Sequence, residues 1–362
     1  MKKIRVIIVG LLILLSLSCK KETDVIKIGV ILPLTGNLSF MGEQERNGMM
    51  LAQDEINENG KKVSLYIEDS KSNAKDGVSA AIKLIKRDKV DLLITSTTGI
   101  SLAVKPIAEK NNIDLVAYCQ DPDIAKQSDY VTRLYLGLND EAKAFVGYIE
   151  SVSDKRIAIL YNQVEAWEKI VNNILEPTVT DNNHQLVFKE NYPVGKQDLK
   201  NIVAKLKSAD ADILILLSYG FEFPSLFPLF IENNILQETV IMGGWGFLYP
   251  NIKDEWLEDI LVSGPPFVFE KNTLVNRFSE KYKKQYGNYG NYDAAMAYNV
   301  IDVIYRFYDK SEIKSGERFK KLIKNTKIEE SVVGAYTIDQ NGSMIIITKL
   351  GEYDNGRIVI SN

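Results

Sequence analysis

From Val25 onward, short runs of successive apolar residues alternate with longer stretches in which apolar residues recur every three or four positions. Runs of the first kind are Ile26 to Leu32, Val63 to Glu68, Val90 to Thr95 and Ile113 to Ala117. Uninterrupted apolar runs are what strands need when both faces of a parallel sheet are covered. Between them, Gly42 to Asn57, Asp76 to Arg87 and Ser101 to Lys110 show the helical period. In the second of these, Val78, Ala81, Ile82 and Ile85 form one stripe to lay against a sheet. The spacing predicts a doubly wound α/β unit.

The series restarts after Leu136 to Asp140, with a helix through Ile149, strand 156–161, helix 166–175 and strand 185–191. Helix 197–208, strand 212–217, helix 225–233 and strands 239–243 and 260–263 complete a second set. Two similar α/β lobes therefore follow one another. The remaining third, with predicted helices 273–286, 293–308 and 317–325, is too long to cap the second lobe alone. Part of it is expected to return to the first lobe.

Ahead of the first strand the pattern differs. Lys2, Lys3 and Arg5 precede an uncharged run from Val6 to Ser18, and Cys19-Lys20-Lys21 follows. The apolar run is too short to span a bilayer and has the form of a secretory signal, removed over 1–18. Leu15-Ser16-Leu17-Ser18-Cys19 resembles the bacterial lipoprotein cleavage box, with Ser16 where a leucine is usual. That resemblance implies diacylglycerol on Cys19, a tether over 19–25, and an exported lipoprotein anchored in the periplasm or on the outer face of the cytoplasmic membrane. Ordinary signal-peptidase cleavage is the alternative, and it too exports the chain.

Of 362 residues, the 344 after the signal are enough for two domains with their own cores. A net charge of −4 with no basic patch argues against nucleic acid as a partner. Only Cys19 and Cys119 are present, so acylation of Cys19 leaves Cys119 a free thiol, expected to be buried as a small hydrophobe. The single histidine, His184, lies in a polar run and is expected to be a solvated loop residue, which argues against a histidine-based metal site. No phosphate-binding glycine motif and no nucleophile with a base can be found, so the chain is expected to bind without catalysis, cofactor or metal.

The block Ile26 to Gly36, with Gly42-Glu43-Gln44, Asn47-Gly48 and Leu51 to Asn57, resembles the opening of the type I periplasmic solute-binding proteins, above all their leucine/isoleucine/valine-binding branch. Further matches follow in order: Leu93 to Thr98, Pro106-Ile107-Ala108, Pro122, Arg133, Arg156 to Leu160, Tyr298-Asn299-Val300 and Gly334 to Gly342. The resemblance implies two doubly wound lobes joined by three crossover strands. Carried onto this chain, it places lobe 1 at 26–138 and 267–345, and lobe 2 at 139–266 and 346–362. It also implies a monomeric binding protein of an ABC transporter that closes on a small ligand, an amino acid or a related amide or carboxylate, and docks on a membrane permease. A receptor feeding a sensor, or a surface lipoprotein holding a protein partner, are the rival functions.

Candidate ligand contacts cluster at predicted strand ends. Thr97, Thr98 and the Gly99 amide open a helix, where hydroxyls and first-turn N–H groups suit a carboxylate, although simple helix capping would use the same residues. Tyr118 and Gln120 follow the next strand, and Met41, beside Phe40, occupies the place of an aromatic cleft residue in relatives. In the second lobe Tyr219 falls where relatives place a ligand-contacting tyrosine. Trp245, among Gly243, Gly244 and Gly246, stands near where amino-acid binders of the family carry an ammonium-binding glutamate; it is expected to form a cleft wall or to be a core tryptophan. Glu165, or Asp293 beside Tyr292, would supply the missing carboxylate unless each is a first-turn helix carboxylate.

Overall fold

The computed structural model describes residues 25–360 apart from 59, 61, 197, 249–253, 259, 266, 268–272, 309–312, 314–315 and 355–356. The expected signal sequence and Cys19 lie outside the described residues.

The apolar runs form strands and the periodic stretches form helices. In the first half, β1 Ile26–Leu32, β2 Val63–Asp69, β3 Leu92–Ser96, β4 Asp114–Tyr118 and β5 Val131–Arg133 make one parallel sheet in the order β2-β1-β3-β4-β5. Helices α1 Ser39–Asn57, α2 Ala74–Lys83 and α3 Thr98–Lys110 cover it. Helix α4 Leu138–Ser151 then leads into a second sheet. This contains β6 Arg156–Asn162, β7 Gln185–Tyr192, β8 Ile213–Leu217, β9 Val240–Gly243 and β10 Leu261–Gly264, with β7-β6-β8-β9-β10 in a row. The helices between them begin with α5 Glu165–Ile170. In both sheets the strand order reverses beside the first strand, so each half has its own topological switch point.

The C-terminal third divides itself between the halves. Helices α6 Thr273–Tyr286 and α7 Tyr292–Phe307 return to α1. Arg277 Nη2 and Lys281 Nζ each lie 3.0 Å from Glu55, and Tyr282 donates to Gln44 at 2.8 Å. At Gly48 a Cβ would stand 2.0 Å from the Ala294 carbonyl oxygen, so the closest approach of α1 and α7 needs glycine. A small antiparallel sheet of β11 Lys327–Ile328, β12 Tyr336–Ile338 and β13 Met344–Ile346 follows, linked to β5 by a bridge between Arg133 and Ser343. The hairpin β14 Lys349–Asp354 and β15 Arg357–Ile360 then joins the second sheet antiparallel to β10. The chain thus passes between the sheets three times.

Three features depart from expectation. Strand β5 and the five C-terminal strands, two to six residues long, are not among those the apolar pattern predicts. The helices expected over 76–87 and 166–175 each contain a π turn, at Leu84–Asp88 and Val171–Leu175. His184 is buried rather than solvated: Nδ1 accepts from the Lys155 N–H at 3.1 Å, and Nε2 faces the Ile149 carbonyl oxygen at 3.0 Å. Two backbone groups that would otherwise be unsatisfied draw the ring inward, and they require the neutral tautomer protonated on Nε2. Cys119 is a free, buried thiol.

Candidate functional site

The carboxyl ends of β3, β4, β6 and β8 converge on a cavity of about 300 Å³. This is where ligands sit in open α/β sheets, outside the strand ends at the switch point. The first half contributes Met41 and Glu45 of α1, Ser96 to Ile100, and Tyr118 to Gln120; the second contributes Val164 to Ala166 and Tyr219. A molecule in the cavity therefore touches both halves.

Thr97 precedes α3 with φ 70° and ψ 151°, a region that β-branched residues rarely enter. Its N–H donates to the Tyr118 carbonyl at 3.1 Å, and its own carbonyl accepts from Ser101 N at 3.0 Å and Ser101 Oγ at 2.7 Å. These bonds hold the strained turn. No side chain caps the helix at Thr97, so the capping alternative does not describe this end. First-turn amides of a helix have no intrahelical partner, and here they adjoin the cavity at Thr98 and Gly99.

Glu45 is the residue that sequence patterning passed over. Its carboxyl group is fully buried at the cavity wall; Oε1 accepts from Ser96 Oγ at 2.9 Å, while Oε2 has no hydrogen-bond partner. Burial, reinforced by the charge of Asp293, raises its pKa to about 8 against the opposing Ser96 hydrogen bond. The signal was available in the sequence: Met41, Glu45 and Met49 lie one helical turn apart, so an acid interrupts the buried face of α1.

Tyr118 lines the cavity with its ring but donates its hydroxyl to the Asp293 carbonyl at 3.0 Å, and burial holds its proton firmly. Gln120 donates to Glu141 Oε2 at 2.7 Å, tying β4 to α4. Tyr219 is set by Glu222, whose Oε2 accepts from the Tyr219 N–H at 3.2 Å and from Ser218 Oγ at 2.9 Å. The Tyr219 ring lies 5.6 Å from Phe40, 4.8 Å from Trp167 and 5.7 Å from Phe221. Phe40 belongs to α1, so aromatic rings meet across the two halves. Lys169 of α5 adds an ion pair to Asp121 at 3.0 Å.

The carboxylates singled out from the sequence are placed differently. Glu165 lies on the cavity rim, largely exposed, and pairs with Lys169 at 3.0 Å, one turn along α5. Asp293 is buried behind the wall, where Oδ1 accepts from the Tyr135 hydroxyl at 3.0 Å. Neighbouring Tyr292 is buried with it. Neither of these two is among the cavity-lining residues. Burial raises the Cys119 thiol to about 11, so this lining residue stays protonated.

Trp245 opens the 3₁₀ turn Trp245–Leu248 after β9. The glycines around it have packing reasons. A Cβ on Gly243 would meet the Phe247 ring at 1.9 Å, one on Gly244 would meet Glu141 Oε1 at 2.6 Å, and one on Gly246 would meet the Ser218 carbonyl oxygen at 2.0 Å. They serve close approach within the second half, so they are no sign of a ligand. Among the described residues no cluster could hold a metal ion.

A family model described as periplasmic binding protein matches residues 25–356. The Leu/Ile/Val-binding protein homolog 3 of Brucella melitensis is 28% identical over 359 residues, spanning 92% of this chain and 93% of its own length. Among solved structures, the solute-binding protein of an ABC transporter from Rhodopseudomonas palustris, in complex with 3,4-dihydroxybenzoic acid, matches with a TM-score of 0.80 at 18% identity, covering 93% of this chain and 96% of its own. A branched-chain amino acid transporter substrate-binding protein from Streptococcus pneumoniae, in complex with isoleucine, gives 0.76 at 20% identity, covering 93% and 99%. The structural matches establish a shared fold.

Proposed function

The chain belongs to the periplasmic binding protein family, and from that premise we propose that it captures a small carboxylate-bearing solute between its two lobes and delivers it to an ABC permease. The observation that carries this reading is the cavity lined from both halves, with the uncapped start of α3 on one side and Tyr219 on the other. A solute that touches both lobes favours the state in which they meet, and only that differential affinity shifts the population.

Thr97, Thr98 and Gly99 are assigned to the carboxylate, whose charge the helix N-terminus favours. Met41, Tyr118, Gln120 and Tyr219 form the surrounding wall, with Glu165 at the rim. The relatives in complex with isoleucine and with 3,4-dihydroxybenzoic acid support this class, because both ligands carry a carboxylate. Export and attachment through Cys19 complete the reading, since a tethered binder remains beside the permease it serves.

A thermal-shift screen of the protein from Cys19 onward tests it, using amino acids, amides, polyamines, short carboxylates and aromatic acids. A ligand that binds only the native state raises Tm by mass action, by about 2.7 kcal/mol of stability at a hundredfold excess over Kd. At least one carboxylate is expected to do so at micromolar concentrations. A flat response across every class would refute capture of a small solute.

A further inference from the structure

The cavity wall contains a carboxyl group that the fold leaves half satisfied. Glu45 is fully buried, one oxygen is held by Ser96, and the other meets no partner. A buried polar atom without a partner is costly, and this one belongs to a residue lining the cavity, where a ligand atom would supply the partner. Ser96, which holds Glu45, directly precedes the Thr97 turn and the start of α3. Glu45 and the start of α3 therefore line the same cavity, open to one bound solute.

The surroundings decide what that oxygen can do. Tyr118 and Cys119 from β4 and Tyr219 and Glu165 from the other half line the cavity with Glu45, and Asp293 of α7 acts on its charge from behind the wall. Tyr135 stands between them and holds Asp293. Among the described lining residues there is no lysine, arginine or histidine. Two buried acids this close do not both ionise cheaply, and burial together with the charge of Asp293 raises Glu45. Asp293 accepts from the Tyr135 hydroxyl, and Glu45, raised to about 8, keeps its proton at neutral pH.

Resting on the function proposed above, we propose that Glu45 determines specificity by donating a hydrogen bond to the carboxylate of a solute that lacks an ammonium group. The site is then an acid facing a carboxylate, with the α3 N-terminus taking up the remaining charge. Its raised pKa, about 8, keeps the donor available at neutral pH. An amino acid would have to drive the proton off Glu45 and would leave its ammonium in a wall that offers no other buried carboxylate.

Calorimetric titration with two matched pairs tests this: leucine against 4-methylpentanoate, and phenylalanine against 3-phenylpropanoate. Each acid should bind at least about tenfold more tightly than its amino acid at pH 6.5. Its affinity should fall about tenfold per unit above pH 8, as the donor proton is lost. Glu45→Gln keeps a donor at the same place, so binding should persist within a few-fold while the pH dependence disappears. Glu45→Leu should lose binding, with its fold checked by circular dichroism. Tighter binding of the amino acids, or a pH profile that Glu45→Gln leaves unchanged, would overturn the assignment. If neither acid binds but another solute raises Tm, the Glu45 assignment fails and solute capture stands. If nothing raises Tm, the function proposed above fails.

Discussion

Glu45 couples the stability of the whole chain to pH. Its carboxyl group titrates at about 8 in the folded protein, against 4.5 for an unperturbed glutamate. Between those values the native state holds one proton more than the unfolded chain, so stability falls as pH rises through the window and levels off above it. The slope is on the order of 1.4 kcal/mol per pH unit at most. Glu45→Gln removes the linkage. Unfolding free energies of the variant and the parent from urea titration should be similar near pH 4.5 and should separate by a few kcal/mol at pH 8, with the variant the more stable. Curves that stay parallel would show Glu45 already ionised in the fold. His184 makes a second residue-scale case. Replacing it with alanine orphans the Lys155 N–H and the Ile149 carbonyl, and unfolding measurements should show a loss of about 1–3 kcal/mol. Neither residue was legible from its neighbours in the chain. His184 sits in a polar run, and Glu45 looks like one of several charges on α1 until the helix is wound and its buried face is drawn.

At the scale of the element, periodicity was a sound guide wherever a segment was buried on a regular face. Strands β1 and β8 and helix α6 stand close to where the apolar pattern puts them, because burial on a sheet enforces the period. Boundaries were less legible, and α3 shows why. It starts at Thr98 rather than near Ser101, since Ser101 reaches back to the Thr97 carbonyl and stabilises an extra turn. That turn presents its amides to the cavity, and proline can test one of them. The first helical position tolerates proline, and Thr97 before it already has the extended ψ, though not the negative φ, usual before proline. Thr98→Pro should keep Tm within a few degrees yet weaken solute binding more than tenfold relative to Thr98→Ala, which loses only the hydroxyl. Equal binding by the two variants would show that the Thr98 amide is not a contact. The contact between α1 and α7 has its own test. Gly48→Val must push α7 away at the Ala294 carbonyl, and a loss of more than about 3 kcal/mol should appear in urea unfolding.

Across the whole molecule, two connections share one anchor. Arg133 is fully buried, and its guanidinium donates to the Tyr135 carbonyl in the first crossing and to the Met344 carbonyl before the third. Arg133 therefore ties two of the passages between the sheets together, and under the proposed capture the lobes would meet and part across the cavity. There Phe40 of α1 meets Tyr219 edge-on at 5.6 Å and Phe221 at 5.1 Å. Aromatic pairs of this kind contribute about 0.5–1.5 kcal/mol each beyond the area they bury. Both pairs join the lobes, so both are lost when the lobes part. Phe40→Ala should consequently lower the fraction of molecules able to hold a ligand and weaken apparent affinity by roughly 5- to 30-fold. Stability should change little, because Phe40 is only partly buried. Small-angle scattering separates this role from a simple wall contact. Without ligand the variant should show a larger radius of gyration than the parent, and saturating ligand should return it to the parent value. An affinity loss with no change in the unliganded radius would mean that Phe40 touches the solute and does not latch the lobes.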